Sequence, residues 1–361
     1  MKVSTLLCVS SILHSFVDGN ELACITNVTG GTDYFPDKVK PVESKFWSVT
    51  YWNTYKIVAN TKVGETYLLY QCGTQPPASQ LNGSHAAVLS VPLPEVNVLY
   101  TTMIPFLEIL GERERIAAYL GNMAYVASPC VNKLYDEGKI KEVLNPYNAT
   151  SIKNIPLNIT SFVGTADNTA FETQIRVSDD DEDTNLGTYE WIKFYSLFFN
   201  KEQTANEVFS ATKARYTCAE ENAGLLSCGD EKKPVVLWAS YSAYCGGWDV
   251  AICPNYYCEF AAACNAKLLS SKTQGSIYSA LCFRNYMTTE EFVAFGKDAD
   301  VWIYTSPGFD TTLANFTGDL ANFTSVLNKQ VFDTQGSGSD AWFEERLAEP
   351  GTLSYEDSWN G

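Results

Sequence analysis

The hydrophobic positions of the chain fall first into two stretches, FWSVTYWNTYKIVAN at 46–60 and ETYLLYQCG at 65–73. Both are rich in β-branched and aromatic residues, a composition typical of strands. They predict a pair of strands that opens the fold as an extra N-terminal β-rich segment.

An alternation of predicted strands and helices follows. Val96–Tyr100 reads as a strand that leads into an amphipathic helix, with Pro105 in an early turn where the missing N–H costs little. The next helix has Ser128 as its N-cap, Pro129 at its first position and Gly138 at its end. A further strand lies in IPLNITSFVG at 155–164. Strand, capped helix and strand together predict an α/β lobe.

The stretch 187–223 contains no proline and no internal glycine, and it predicts two helices or one helix kinked near Asn200. After it the alternation of strands and helices begins again. Strands are predicted at 234–240 and 299–306, a helix at 256–269, and a short helix whose Thr288 and Glu291 form a capping box. The predicted fold is therefore α/β, with two lobes joined by a long helical segment and a ligand cleft between them.

The predicted boundaries begin with a signal peptide at 1–19, because one lysine precedes an apolar stretch from Val3 to Val17 that is too short for a membrane span. No later stretch approaches the roughly 20 apolar residues of a transmembrane helix. The N-terminal lobe is assigned to 20–186, the helical linker to 187–223, the C-terminal lobe to 224–332, and a loosely attached tail to 333–361.

Composition agrees with a globular protein, since 45% of the residues are hydrophobic and 19% are charged. The formal net charge of -17 opposes binding to nucleic acid or to anionic lipid. The acidic run at 179–183 is interpreted as a surface loop, with a calcium site as the weaker alternative.

The cysteines indicate an oxidising compartment. Removal of the signal peptide removes Cys8 and leaves ten, which predicts five disulfides. A zinc site is disfavoured because only His85 would remain to accompany them. The ten are Cys24, Cys72, Cys130, Cys218, Cys228, Cys245, Cys253, Cys258, Cys264 and Cys282. Six sequons fit the same secretory route in a eukaryotic host, at Asn27, Asn82, Asn148, Asn158, Asn315 and Asn322.

Catalytic motifs are absent from the sequence. It has no G-x-S-x-G, Walker A, H-E-x-x-H or strand-linked G-x-G-x-x-G pattern, and a hydrolytic triad could draw only on His85. We therefore expect a protein that is not an enzyme and holds no metal or cofactor. A pair of carboxylates could still hydrolyse a glycoside without histidine, so a secreted hydrolase stays as an alternative.

Polar and aromatic residues collect where the predicted strands end, and open α/β sheets bind ligands at that edge. Core packing is the competing interpretation for each aromatic residue taken singly. In the first half the candidates are Tyr100, Thr101, Thr102 and Ser128. In the second half they are Trp238, Ser240, Tyr241, Tyr244, Trp248, Tyr304 and Thr305.

From about Val96 to Ser306, the order of these segments resembles the type III periplasmic substrate-binding proteins, which capture vitamin B12 and ferric siderophores. The second half carries most of the likeness, through KPVVLWAS, CEFAAACNAKLL and FRNYMTTEEFVAFGKDADVWIYTS. A secreted eukaryotic chain of this kind is similar to the cobalamin acquisition proteins of algae.

The resemblance implies lobes joined by a rigid helix. It also implies that Tyr241, Tyr244 and Trp248 face the cleft, with Phe283 and Tyr286 near another ligand-facing turn. Glu290 falls where the family's second lobe docks on a membrane importer, whereas the matching first-lobe segment, NATSIKN, has no acid.

The leading hypothesis is a secreted or surface-held receptor that binds cobalamin and hands it to a membrane uptake partner. A ferric-siderophore receptor is the closest alternative. A secreted hydrolase and a disulfide-rich interaction protein are the alternatives from other classes, the latter marked by an exposed aromatic patch.

Overall fold

The structure is a computed structural model that describes residues 20, 22–150, 152, 155–226, 233–270, 275–279, 284–336 and 338–350. The predicted signal peptide, Cys228, Cys282 and Phe283 lie outside these residues. The strands are β1 Trp47–Tyr51, β2 Tyr55–Asn60, β3 Glu65–Gln71, β4 Ala87–Val91, β5 Val96–Val98, β6 Ile116–Tyr119, β7 Lys141–Glu142, β8 Thr160–Gly164, β9 Gln174–Val177, β10 Val235–Ser242, β11 Gly247–Val250, β12 Lys267–Leu268, β13 Ile277–Ser279, β14 Arg284–Tyr286, β15 Val301–Tyr304 and β16 Val331–Asp333. The α-helices are α1 Ala78–Leu81, α2 Ile104–Ile109, α3 Pro129–Asp136, α4 Asn185–Tyr189, α5 Trp191–Ser196, α6 Glu202–Leu226, α7 Tyr256–Ala263, α8 Thr289–Gly296, α9 Phe309–Asn315, α10 Thr317–Leu320, α11 Thr324–Leu327 and α12 Ala341–Glu345.

Three larger sheets organise these elements. The N-terminal sheet has the order β1-β2-β3-β4, antiparallel up to β3 and parallel between β3 and β4. The first lobe is a parallel sheet in the order β7-β6-β5-β8-β9. In the second lobe β10 pairs with β15 and β12 in parallel and with β11 antiparallel, and β16 follows β15. The fold is α/β with two lobes and an added N-terminal sheet, as the sequence predicts.

Several local predictions are confirmed. The Ser128 hydroxyl caps α3 by accepting from the amide of Val131, and Thr288 and Glu291 form the reciprocal capping box of α8. The long helical stretch breaks where expected, because α5 ends at Ser196 and α6 begins at Glu202, with Asn200 between them at a φ of 56°. A left-handed residue of this kind ends a helix.

Two predicted elements are shorter in the structure. The strand expected at 96–100 ends at Val98, and a 3₁₀ turn at Thr101–Met103 replaces its continuation. The helix expected over 256–269 ends at Ala263, because Asn265 adopts a φ of 53° and the chain re-enters the sheet as β12.

Helix α5 is buried on all sides. From the N-terminal sheet, Trp47 packs edge-on against Phe194 at 6.3 Å between ring centroids. From the first lobe, Phe106 stacks on Tyr195 at 4.9 Å and Phe162 lies 5.1 Å from the same ring. The added sheet and the first lobe therefore share one hydrophobic core that encloses this helix.

A buried ion pair joins the N-terminal sheet to α6. Lys56 on β2 and Glu202 at the start of α6 are both fully buried, with Lys56 Nζ 2.5 Å from Glu202 Oε1. The second carboxylate oxygen accepts from the Asn20 side-chain amide at 2.8 Å, and Asn200 accepts from Lys56 at 3.1 Å. Burial lowers the pKa of Lys56, while the Glu202 charge opposes that shift.

The acidic run 179–183 is only partly the surface loop that the sequence predicts, with Asp180 and Asp183 exposed. Asp179 and Glu182 are buried, and Glu182 accepts from the amide of Lys45 and from the Trp191 indole N–H. These carboxylates serve the N-terminal segment and α5 as hydrogen-bond acceptors. No group of three or more histidine, cysteine, aspartate or glutamate side chains suited to a metal ion occurs in the part of the chain that the structure describes.

The prediction of a loosely attached tail is also wrong. Helix α12 is buried at Ala341, Trp342 and Glu344, and Leu347 and Ala348 belong to the core that encloses α5. The part of the tail that the structure describes, up to residue 350, is therefore packed into the molecule. Across the described residues, no helix is long and apolar enough to cross a bilayer.

The disulfides only partly match the prediction of five. Cys24 is bonded to Cys72 and Cys253 to Cys258, and Cys245 is also disulfide-bonded. Cys130 and Cys264 are unpaired and exposed. Cys130 lies in the first turn of α3 in the first lobe, whereas Cys264 follows α7 in the second lobe.

Replacing Glu202 with glutamine should lower the free energy of unfolding by about 3–5 kcal/mol, because it leaves the Lys56 ammonium buried without its counter-charge. Urea denaturation is the measurement. The matched control is Lys38→Gln, which removes an exposed pair with Asp33 and should cost less than ~1 kcal/mol. Equal losses in the two variants would contradict a special role for the buried pair.

Alkylation of the native, unreduced protein should modify Cys130 and Cys264, because both thiols are exposed and unpaired. Peptide mass mapping should find Cys24, Cys72, Cys253 and Cys258 unmodified under the same conditions. Recovery of a peptide in which Cys130 and Cys264 are crosslinked would contradict the unpaired state of these two thiols.

Candidate functional site

A hairpin at the carboxyl edge of the second-lobe sheet builds the candidate site. Strand β10 runs past the end of its parallel partners and pairs antiparallel with β11, so that Ser240 lies opposite Asp249 and Tyr241 opposite Trp248. Partners in an antiparallel pair share a face, and successive pairs alternate. Ser240 and Asp249 therefore line one side of the hairpin and Tyr241 and Trp248 the other.

The first side of the hairpin opens on a cavity of about 570 Å³. Its aromatic lining comes from β10, β11, the start of α7, β14 and the tail: Trp238, Trp248, Tyr256, Tyr257, Tyr286 and Phe343. Its polar lining includes Ser240, Asp249, Asn255, Asn285 and Arg346. The wall combines aromatic rings with at least as many polar groups, and the volume is in the range of small-molecule sites.

Stacked rings form the floor of the cavity. Trp238 lies 4.5 Å from the Tyr257 ring at an interplanar angle of 30° and 5.6 Å from Trp342. Tyr256 accepts a hydrogen bond at its hydroxyl from Arg346 Nε at 3.0 Å. Burial raises the pKa of Tyr257 above its usual range, so this hydroxyl stays protonated at neutral pH.

Two of the second-lobe aromatic predictions belong to the core. Trp248 is fully buried and stacks flat on Phe292 at 4.0 Å, although its position is within the cavity wall. Tyr241 packs on Trp248 at 5.2 Å and on Phe316 at 4.9 Å, and it does not line the cavity. Tyr241 lies on the core-facing side of the hairpin, which is the physical reason that it does not line the cavity, whereas Trp248 contributes both to the core and to the cavity wall.

The remaining second-lobe predictions have different outcomes. Tyr304 is buried, bonds to the Thr312 hydroxyl at 2.9 Å and belongs to the core. Tyr244 is 73% exposed at the tip of the hairpin, outside the cavity. Trp238, Ser240 and Tyr286 do line the cavity. Phe283 lies outside the described residues.

The first-lobe predictions lie at the edge of their own sheet, and none of them lines the cavity. The Tyr100 hydroxyl donates to Asp167 Oδ2 at 2.7 Å, and Tyr147 donates to the other oxygen at 2.9 Å. Burial is the main cause that raises the pKa of Tyr147 to about 12, and the bond to Asp167 adds to it. Thr101 and Thr102 form the 3₁₀ turn against which α12 packs.

Ser128 is buried at the first-lobe end of α12. Its amide donates to Glu344 Oε1 at 2.9 Å, and its hydroxyl donates to Glu108 at 2.9 Å. The Ala127 amide donates to the other Glu344 oxygen at 2.7 Å. A residue of the tail therefore lies where the sequence predicts the first-lobe half of a ligand cleft.

Sequence reasoning missed the contribution of the tail, Phe343 and Arg346, and the polar wall residues Asp249, Asn255 and Asn285. The Tyr256–Tyr257 pair beside the cysteines was a usable signal, because two adjacent tyrosines at the start of a helix place aromatic surface next to the strand ends. Nothing in the local sequence of the tail indicates a contact with residues a hundred positions earlier.

The peripheral predictions stay predictions. Glu290 is exposed on the first turn of α8, and no contact in the structure tests its docking role. All six sequon asparagines are exposed, as attachment of a glycan requires.

The comparisons with known proteins support the fold. No protein-family model matches the chain. An uncharacterized lipoprotein of Methanocaldococcus jannaschii is 26% identical over 301 residues, covering 77% of this chain and 68% of that protein.

Solved structures of three bacterial proteins are similar in fold. The periplasmic heme-binding protein of Pseudomonas aeruginosa matches with a TM-score of 0.52 at 12% identity, over 73% of this chain and 94% of that one. The periplasmic heme-binding protein HutB of Vibrio cholerae matches with a TM-score of 0.51 at 15% identity, over 73% of this chain and 99% of that one. A periplasmic binding protein of Veillonella parvula matches with a TM-score of 0.50 at 14% identity, over 72% of this chain and 81% of that one. With its two lobes and their parallel strands, the chain has the fold of the type III periplasmic binding proteins that its sequence resembles.

Proposed function

We propose that this chain is a secreted binding protein that captures a large, flat small molecule in the second-lobe cavity and passes it to a membrane uptake partner. The observation that supports this most is the aromatic cavity of about 570 Å³ at the carboxyl edge of the second-lobe sheet. Open α/β sheets bind their ligands at that edge, and aromatic faces stabilise flat ligands by burial and stacking.

Cobalamin, the ligand that the sequence led us to expect, is the first candidate, and a ferric siderophore is its alternative. Heme is a further candidate ligand, because two of the proteins with a similar fold are periplasmic heme-binding proteins. Corrin and porphyrin rings share the property that the stacked wall of Trp238, Tyr256 and Tyr257 would recognise, a broad planar face.

A binding role fits the cavity better than hydrolysis does. Hydrolysis of a glycoside by an acid pair needs two carboxyl groups across the scissile bond, and Asp249 is the one carboxylate among the described residues of the lining. The volume of the cavity also favours a small-molecule receptor over a disulfide-rich interaction protein, which would present an open aromatic patch.

Secretion and surface retention belong to the same proposal. The disulfides Cys24–Cys72 and Cys253–Cys258 favour an oxidising compartment, and the similar archaeal protein is a lipoprotein. In this proposal exposed Glu290 contributes to docking on the uptake partner, as the family resemblance implies.

Isothermal titration of the purified protein with cyanocobalamin, hemin and a ferric hydroxamate siderophore tests the proposal. We expect saturable binding of one of them, and Tyr256→Ala should weaken it about tenfold, equivalent to ~1.4 kcal/mol, because it removes a half-buried ring from the wall.

Tyr244→Ala is the matched control, because it removes a tyrosine of the same lobe that is 73% exposed and outside the cavity. Its affinity should equal that of the unmodified chain. Saturable binding that Tyr256→Ala leaves unchanged would place the ligand elsewhere, and absence of binding by all three ligands would favour the interaction-protein alternative.

A further inference from the structure

The C-terminal helix α12 lies between the two lobes and is buried there. Ala341 is 2% exposed, Trp342 8% and Glu344 1%. The helix has five residues, too few to be stable without tertiary contacts. Its position therefore depends on what it touches in each lobe.

Its contact with the second lobe is aromatic. The Trp342 ring lies 5.6 Å from Trp238 and 6.4 Å from both Tyr257 and Phe260. Trp238 and Tyr257 also line the cavity, so the tail occupies part of the aromatic surface that would stack on a ligand. Arg346 continues this contact through its bond to the Tyr256 hydroxyl.

Its contact with the first lobe is polar. The Glu344 carboxylate accepts from the amides of Ala127 and Ser128 at 2.7 and 2.9 Å, just before α3. The helix also packs on the Thr101–Met103 turn and on α2. It thus covers Thr101, Thr102 and Ser128, the residues at the carboxyl edge of the first-lobe sheet.

We propose that the segment 340–350 is a displaceable internal occupant of the interlobe cleft, which a ligand bound by both lobes must remove. This rests on the proposed function, because it concerns the regulation of the same site. With the segment in place, the described wall of the cavity consists of second-lobe residues together with Phe343 and Arg346, and includes no described residue of the first lobe. Without it, the first-lobe edge and the stacked rings would border one larger cleft.

The segment has the features of a competitor that can leave. The stretch before it, at 335–340, is rich in glycine and serine, a composition typical of flexible linkers. Leu347 and Ala348 provide an apolar attachment to the first-lobe core. A ligand must outcompete this attachment, so its apparent affinity falls by the fraction of molecules in which the cleft is open.

The test uses the full chain with a specific protease site inserted between the exposed Gly338 and Ser339, cut after folding. A dye-labelled synthetic peptide of residues 339–361 is added in excess. We expect it to exchange with the cut segment while the lobes stay folded, as circular dichroism would report. The peptide carrying Trp342→Ala and Glu344→Ala should compete at least tenfold less well, and the matched Glu349→Gln peptide should compete within about twofold of the unmodified one.

Ligand probes form the second arm of this test. Hemin or cyanocobalamin should release the labelled peptide and should bind the emptied chain more tightly than the uncut one. Binding of either probe with the peptide retained would overturn the proposal, as would a segment that leaves only when the chain unfolds. Exchange of the peptide without binding of either probe would support the displaceable occupant and contradict the ligands named in the proposed function.

The affinity of the labelled peptide should fall as the pH rises from about 5 to 7.5. Burial, with smaller contributions from Glu108 on α2 and Glu345, raises the pKa of Glu344 to about 7 when the segment is docked. Tyr119 on β6 also faces this carboxylate. The docked state therefore binds the proton more tightly than the released one, so docking loses stability as the pH rises from the ordinary pKa of a glutamate carboxyl to about 7. A Glu344→Gln peptide should show no such slope in fluorescence anisotropy titrations, and an unchanged slope would assign it to another group.

Discussion

Burial of α5 on every side is the constraint on which the rest of the structure depends. A helix that carries Trp191, Phe194 and Tyr195 around its circumference cannot rest on one sheet, because half of its apolar surface would remain in water. The first lobe covers one side and the N-terminal sheet covers the other. The added sheet is therefore part of the first-lobe core, and the buried Lys56–Glu202 pair joins the same layers at the start of α6.

Much of the fold could be predicted because its signals are local. Ser128 and Pro129 mark the start of α3, and Thr288 and Glu291 mark the start of α8, through hydrogen bonds that span only three residues. The site was harder to predict, because the side of the hairpin that a residue faces depends on the register of strand pairing. Tyr241 and Trp248 are aromatic residues at a strand end, but the pairing of β10 with β11 turns both toward the core. A shift of one residue would have reversed that result.

The tail shows a different limit of sequence reasoning. Helix α12 has five residues, and the residues that it contacts are distant in the sequence. Trp238 precedes it by more than a hundred positions and Ser128 by more than two hundred. No periodicity can accumulate over so short a segment, and a Gly-Ser-rich approach is ordinarily a sign of a disordered end. Only the tertiary contacts decide that Glu344 is an acceptor for first-lobe amides rather than a solvated carboxylate.

The alternation along β10 has a consequence for how this protein could change in evolution. Ser240 and Ser242, near the end of the strand, line the cavity, whereas Leu237 and Tyr241 are in the core cluster or packed against it. Substitutions at Ser240 and Ser242 can alter the chemistry presented to a ligand with little effect on core packing, while Leu237 and Tyr241 are constrained by volume. Divergence in ligand preference among descendants of this chain would therefore concentrate at every second residue of one strand.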